Sequence, residues 1–460
     1  MRYKNNTFIR GVYLVFCIIS LLSFAVAGNG CTFLPEDDCN VRFFNGCDVN
    51  EDVILDEQDI YNFPAGIDIC AHDVVLDCAG SEINSSGGGG GGGDSEGESM
   101  LDYHGISSYG FSGVAIQNCV VKGYDNGLHL EDYNDGTLAN NEVSLNKYTG
   151  VFMKSSSRND IHNNIVSENI NDLSTPPYEN YADNAGIFLE ASHDNEFKKN
   201  DLRNNIYSGV VLIDSDRNLF EEDDFSDNGF FGALLIRSEE NTLRGITAHD
   251  VKNAYNGGVG YFGYGVSLRQ HSDRNEIHKS NMNRNFYAGV HVEGSHENTI
   301  SDNNIQESGF SGISIVQGDN NLIMHNDATG SKNSGGIAIN YGNNNVAAKN
   351  NVSYNKLSGI SVYRGDNNII EENVAQYNKQ SFLYIHNGVG ISIVEGSYNV
   401  IRKNDVAFNH LSGIRVSNTQ HNHIEENKVY HNEKHGIEVK NNAHTNTLTR
   451  NSVHNNNVRG

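Results

Sequence analysis

The sequence predicts an all-β solenoid: a parallel β-helix of about 23 residues per coil, with three strands in each coil. A glycine recurs at that spacing, at Gly209, Gly232, Gly289, Gly312, Gly336, Gly359, Gly390, Gly413 and Gly436. Apolar residues stand one and three places after it, as in Val210/Leu212, Ile313/Ile315 and Ile414/Val416, with a variable residue between them. That is strand alternation and not a helical stripe. Asparagine recurs nine places after the glycine (Asn195, Asn218, Asn241, Asn298, Asn321, Asn345, Asn368, Asn399, Asn422), and again near fourteen and nineteen places.

Each copy therefore holds three apolar beats separated by three Asn-rich corners. A helical repeat would show three- and four-residue apolar spacing, and a leucine-rich repeat would show a Leu ladder. Asn suits a corner because it tolerates left-handed backbone, and stacked Asn side chains can bond along the column. The glycine marks a bend with positive φ or a close approach. Ile313, Ile315, Ile323 and Ile360 are expected to face inward.

The N-terminus reads as a separate segment. Arg2, Lys4 and Arg10 precede the apolar run Val12–Phe24, then Ala25-Val26-Ala27. Residues 1–27 are expected to be a secretory signal peptide, with no membrane span after cleavage. Cys31, Cys39, Cys47, Cys70, Cys78 and Cys119 remain, all in the first quarter. An even count in an exported chain reads as three disulfides, with the pairing left open. Residues 28–50 are expected to form a disulfide-rich cap over an otherwise open solenoid end, and residues 51–460 the β-helix. The formal net charge of −26 argues against nucleic acid as a partner.

Residues 85–97, with seven consecutive glycines, read as a flexible loop. Three copies are longer than the rest: the steps Gly150–Gly186, Gly232–Gly265 and Gly359–Gly390 span 36, 33 and 31 residues. Their insertions, near 170–185, 250–264 and 379–389, fall at the same corner and are rich in Tyr and Phe. Loops on one edge of a rigid scaffold are where function is placed.

The pattern Gly-Ile-x-Ile … Asn-x-Ile-x-x-Asn, with Ile69-Cys-Ala-His-Asp-Val-Val-Leu-Asp77-Cys-Ala-Gly80 upstream, resembles the right-handed parallel β-helix proteins of the pectin-lyase-like superfamily. Within it the chain is most similar to the carbohydrate-binding and sugar-hydrolysis branch, which includes NosD-type proteins and, more distantly, mannuronan C5-epimerases. The resemblance implies a right-handed β-helix and an extracellular or periplasmic polysaccharide partner. It does not carry the catalytic motifs. Where the epimerases have Asp-Pro-His after Tyr-Gly, Tyr264-Gly265 continues as Val-Ser-Leu-Arg-Gln-His271-Ser-Asp273.

Offsets +2 and +4 point outward on the first strand and stack between copies. They cluster Arg269, His271, His291 and Glu293, with Tyr261 and Tyr264 nearby. Uronate epimerisation or β-elimination needs a base, a cation for the carboxylate and a proton donor, and these side chains supply candidates. An ordinary ladder of cross-strand charge pairs is the alternative. Tyr178, Tyr181, Tyr261, Tyr264 and Tyr384 are candidate sugar-stacking residues. Calcium is a possible cofactor through Glu221-Glu222-Asp223-Asp224 and Asp227, against a solvated acidic face. The expectation is a secreted β-helix that recognises polysaccharide. Lyase, epimerase or glycoside hydrolase activity, a non-catalytic surface rod and a periplasmic metal-enzyme accessory role stay open. Mass spectrometry of the exported, unreduced protein is expected to find no free thiol; two or more would remove the three-disulfide reading.

Overall fold

The computed structural model describes residues 47–85, 103–169, 185–253, 262–379 and 388–457, and the backbone of 31–32. Among these residues every regular element is a strand. The signal segment, most of the 28–50 cap, the Gly-rich loop beyond Ser85 and the greater part of all three insertions lie outside the described residues.

The strands stack into parallel sheets that wind around one core. The first sheet climbs from Cys47–Val49 to Ile437–Lys440, and Cys31–Thr32 adds to its start as an antiparallel neighbour. The first rung therefore begins at Cys47, inside the segment expected to be cap. The second sheet has 16 strands, from Val53–Ile54 to Thr447–Thr449. Register is uniform: Val210 pairs with Ala233, Ala233 with Val266 and Val266 with Val290.

The third face differs along its length. It carries three-residue strands at both ends, Ile60–Asn62 to Ile165–Ser167 and Val374–Gln376 to Ser452–His454. Between them it thins to single bridges through Asp201, Asp224, Thr247, Asn281, Asn304, Asp327 and Asn351. Most of these bridging residues are Asp or Asn, which strands disfavour, whereas the ends carry Ile165 and Val374 at this place.

The inward positions are those the repeat predicts. Ile313, Ile315, Ile323 and Ile360 are all 0% exposed. Phe197 and Phe220 stack in the second-sheet column with centroids 4.4 Å apart. The repeat glycine is a close-approach residue and not a left-handed one. A Cβ on Gly232 would lie 2.4 Å from the carbonyl oxygen of Gly265 in the next coil.

The corner asparagines act differently from the expectation. The left-handed residue is the one before each asparagine: Asp194, Arg217, Glu240, Glu297, Asn320 and Asn344 have φ of 55–59°. The asparagine itself is buried and forms a ladder. Asn218 donates its backbone N–H (2.8 Å) and its Nδ2 (3.1 Å) to Oδ1 of Asn241 in the next coil. The same Nδ2 donates to the carbonyl of Ser192 in the preceding coil at 3.0 Å. Equivalent ladders run through Asn373–Asn404–Asn427 and Asn378–Asn409–Asn432.

Cys78 and Cys119 form a disulfide between neighbouring coils, 41 residues apart in sequence. In the chain-entropy picture a loop of that length contributes about 4 kcal/mol. Cys47 and Cys70 are also disulfide-bonded; the side chains of Cys31 and Cys39 lie outside the described residues.

Asp223 stands in an asparagine column. Its Oδ1 accepts from the backbone N–H and Nδ2 of Asn200 at 2.7 and 2.9 Å, as an asparagine would, but Oδ2 is buried without a partner. Burial pushes its carboxyl from 3.8 up to about 7. A raised acid stabilises the fold fully below its unfolded value and loses that contribution as pH climbs through the folded one. Asp223→Asn supplies a donor where Oδ2 has none, and is expected to raise Tm by several degrees. The gain should grow from pH ~4 and level off above pH ~7, because over that range the unfolded carboxylate is ionised while the buried one is held protonated. An equal gain at both ends of that range, or a loss, counts against this account.

Candidate functional site

The outer face of the first sheet is where the sequence gathers chemistry. Strands Tyr264–Arg269 and Ala288–Glu293 are neighbours, and their register sets Ser267 beside His291 and Arg269 beside Glu293. Arg269 donates from Nε to Ser267 Oγ at 3.0 Å and lies 3.8 Å from Glu293. Its guanidinium sits over the rings of Phe231 and Tyr264, 5.3 and 5.5 Å from their centroids. The His291 ring stacks on Tyr264 at 4.7 Å, and its Nε2 faces Glu293 at 3.5 Å.

The electrostatics are those of a closed, paired cluster. Burial holds the His291 imidazole below its ordinary pKa, so it is neutral near pH 7. The hydrogen bond from His291, helped by the charge of Arg269, holds the Glu293 carboxyl below its usual value. Burial raises the Tyr264 hydroxyl. His291 Nδ1 is buried with no partner. Glu293, half exposed, is the group that meets solvent. A base that must reach a sugar carbon needs an open nitrogen, and His291 offers none in this arrangement.

Other expectations need correction. His271 does not join this cluster. It sits on the turn after the strand, at φ 66°, with its ring 5.8 Å from His296. Tyr264 is buried, 4% exposed, so it cannot act as an open stacking platform in this arrangement. Tyr178, Tyr181, Tyr261 and Tyr384 lie outside the described residues. The acidic run offers no convergent oxygens: Glu221 is bridged by Lys198 and Arg244, Glu222 by Lys199, Asp224 by Arg203 and Asp227 by Lys252, while Asp223 is in the core ladder.

His271, Asp273 and His296 bring ligand atoms within 4.8 Å of one another. His296, however, is engaged in a corner ladder. Its Nδ1 accepts the Asp319 N–H at 3.1 Å, as His193 Nδ1 accepts that of Asp216 at 3.0 Å. The ring proton then sits on Nε2. A metal-bound imidazole has the opposite arrangement, its second nitrogen donating to an acceptor, so the trio fits the ladder better than a metal.

Sequence reasoning missed two features of this face. Upstream of the cluster, the outward positions Phe188, Val211 and Leu234 are buried with Tyr207, Phe230, Phe231 and Phe262 in a second apolar cluster outside the solenoid core. Three successive apolar residues at offset +2 were the available sign. Farther upstream, His129 Nε2 meets Glu131 at 2.8 Å, and the His129 ring stacks between His104 and Phe152. His129-Leu130-Glu131 and His291-Val292-Glu293 are the same His-x-Glu pattern at the same offsets. Downstream, the outward strip turns small, through Ser314, Ala338, Ser361 and Ser392. It ends at Arg415, whose Nε meets Glu438 at 2.7 Å. Burial opposes the Glu438 charge, but Ser412 and Arg415 hold its carboxyl down at about 2.

The description "Right handed beta helix region" matches residues 185–288, 264–389 and 381–460, which together span more than half of the chain. The chain belongs to the right-handed β-helix family. A second description, "Periplasmic copper-binding protein (NosD)", matches residues 50–230. No curated protein is a significant sequence match. Among solved structures the chain is similar to the periplasmic alginate epimerase AlgG, at 12% identity over 88% of this chain and 84% of that one, with a TM-score of 0.37. It is also similar to the Azotobacter vinelandii mannuronan C-5 epimerase AlgE6 A-module, at 11% identity over 77% and 90%, with a TM-score of 0.40. The pectate lyase Pel9A aligns at 14% identity over 54% and 71%, with a TM-score of 0.33.

Because Tyr264 supports both His291 and Arg269 from a buried position, Tyr264→Ala is expected to lower Tm clearly, at a cost of about 3 kcal/mol. Tyr264→Phe, which keeps the ring, should melt close to native. Thermal melts followed by circular dichroism separate the two; an unchanged Tm for the alanine variant counts against the buried role.

Proposed function

We propose that the protein is an exported β-helix that binds polysaccharide along the outer face of its first sheet, between Arg269 and Arg415. One observation carries the reading: the column that continues His291 turns to short side chains, Ser314, Ala338, Ser361 and Ser392, and ends at the Arg415–Glu438 pair, while the Arg269–Glu293 pair stands in the adjacent column at its other end. Six rung steps separate Arg269 from Arg415, roughly 29 Å at the spacing of paired strands. The strip lies low between its neighbours, with Ser314, Ala338 and Ser392 only 7–9% exposed, and the charged ends offer donors and acceptors suited to hydroxyl groups. Each arginine is paired with a glutamate and the chain is strongly acidic, which favours a neutral or weakly charged glycan over a polyanion.

Export is supported by the Cys78–Cys119 disulfide and by the match to a family described as periplasmic. No helix among the described residues is long and apolar enough to cross a membrane. For copper binding, which that family description also names, the candidate ligand group among the described residues is His271, Asp273 and His296, which holds no soft Cys ligand. The sealed nitrogens of His291 favour recognition over turnover. The insertion tyrosines Tyr178, Tyr181, Tyr261 and Tyr384, which the sequence sets just before strands of this sheet, are proposed as additional stacking partners.

Affinity electrophoresis against neutral and uronate polysaccharides tests the reading. Glu293→Gln and Arg269→Ala are expected to weaken retention by about tenfold, close to 1.4 kcal/mol, while Tm changes little for Glu293→Gln. Binding that ignores both substitutions moves the site off this face. Release of unsaturated or reducing ends by the native chain, abolished in His291→Ala, would replace recognition with catalysis.

A further inference from the structure

A different edge of the solenoid carries an aromatic ladder. At the corner before the third asparagine column, successive coils place Glu307, Gly330, Tyr354, Tyr377, Phe408 and His431, all with left-handed backbone. Their backbone N–H groups point up the column, from Glu307 to Thr329, Gly330 to Ser353 and Tyr354 to Gln376. The rings stack face to face: Tyr354 on Tyr377 at 5.1 Å and 7°, Tyr377 on Phe408 at 4.8 Å and 4°, Phe408 on His431 at 5.2 Å and 15°.

The ladder stops at Gly330. Inner rings have both faces covered, and Tyr377 and Phe408 are 38% and 37% exposed; Tyr354 is 58% exposed. The difference is the open face of Tyr354 above the glycine. A Cβ placed on Gly330 would have only Glu307 atoms as its three nearest neighbours, at 3.5–3.9 Å. The corner thus contains a slot one side chain wide. Its floor is glycine backbone, one wall is a tyrosine face, and the other is the exposed Glu307. Two rungs separate the walls, roughly 9–10 Å at strand spacing, and the neighbouring rungs show that this height holds one ring. Lys332, exposed and two residues beyond Gly330, has no ion pair among the described residues.

We propose that this slot is a stacking subsite for one neutral pyranose ring, bound between Tyr354 and Glu307. The C–H face of the sugar covers the tyrosine as the next ring of the ladder would, removing apolar surface from water. Glu307 accepts from its hydroxyls, and Lys332 donates to them. The glycine is the specificity device: any side chain there would fill the slot. The subsite rests on the reading of the protein as a glycan binder, but it lies on another face from the Arg269–Glu293 line and can fail separately.

Saturation-transfer NMR with cellohexaose, mannohexaose and maltohexaose, and with choline and adenosine as cationic and flat aromatic probes, tests it on the full chain. Gly330→Tyr closes the slot; Tyr354 and Tyr377 already occupy this backbone conformation, so its Tm should stay near native. Native protein is expected to bind at least one hexasaccharide, and Gly330→Tyr and Glu307→Ala to weaken it by about tenfold or more, with Glu293→Gln leaving that loss unchanged. Loss in Glu293→Gln but not in Gly330→Tyr overturns the subsite and leaves the first-sheet reading standing. Choline or adenosine binding that Gly330→Tyr abolishes, without any hexasaccharide, assigns the slot to another ligand and overturns it. Silence of the native chain toward every hexasaccharide overturns both.

Discussion

Along most of each column a buried asparagine amide joins three coils, as Asn218 does: its Nδ2 reaches the carbonyl of the coil before and the Oδ1 of the coil after, while its own Oδ1 takes two donors. These groups are sealed from water, so leaving any of them unpaired costs its full desolvation. The coil spacing, the register and the corner angle follow from keeping all of them satisfied. The repeat glycine enforces the same geometry by sterics, since a Cβ at Gly232 would meet the next coil's carbonyl oxygen. Apolar columns fill what these two constraints enclose.

Fixed register turns sequence spacing into spatial columns. Residues one repeat apart become lateral neighbours about 4.8 Å apart, which is why His291 finds Tyr264 and Glu293 finds Arg269. It also explains the corner chemistry. The left-handed residue before each asparagine points outward, so it is free to be charged, aromatic or glycine. Where consecutive coils choose rings, they stack; where one chooses glycine, a slot opens. Paired charges recur for the same reason, as in Asp194–Arg217 and Asp214–Arg237 between adjacent coils, and such exposed pairs contribute little to stability.

The first-sheet face is partitioned along its length. An apolar stretch from Phe188 to Leu234 is packed and closed. The Tyr264–Arg269–His291–Glu293 cluster stands at its boundary, with the histidine kept neutral by burial and the glutamate kept ionised by its partners. Beyond it the strip of short side chains runs to the Arg415–Glu438 pair. The paired charged groups thus sit where the packing changes character.

The repeat by itself determined the solenoid, its inward residues and the stacked asparagines, because a fixed period leaves only one face for each column. Val210, Ile313 and Ile360 could be placed from spacing alone. The role of asparagine could not be fully read: its column was visible, but the one-residue offset between the left-handed residue and the buried amide depends on the path of the backbone through the corner. The candidate site was legible as far as register carries it, joining Arg269, His291 and Glu293. His271, two residues past the strand, was misplaced because the turn redirects it toward His296. Burial was the property only the tertiary structure decided. Whether Tyr264 faces water, whether Phe188 and Leu234 are covered and whether Asp223 hangs in solvent or in a core ladder depend on neighbours from other coils, and no local pattern records them.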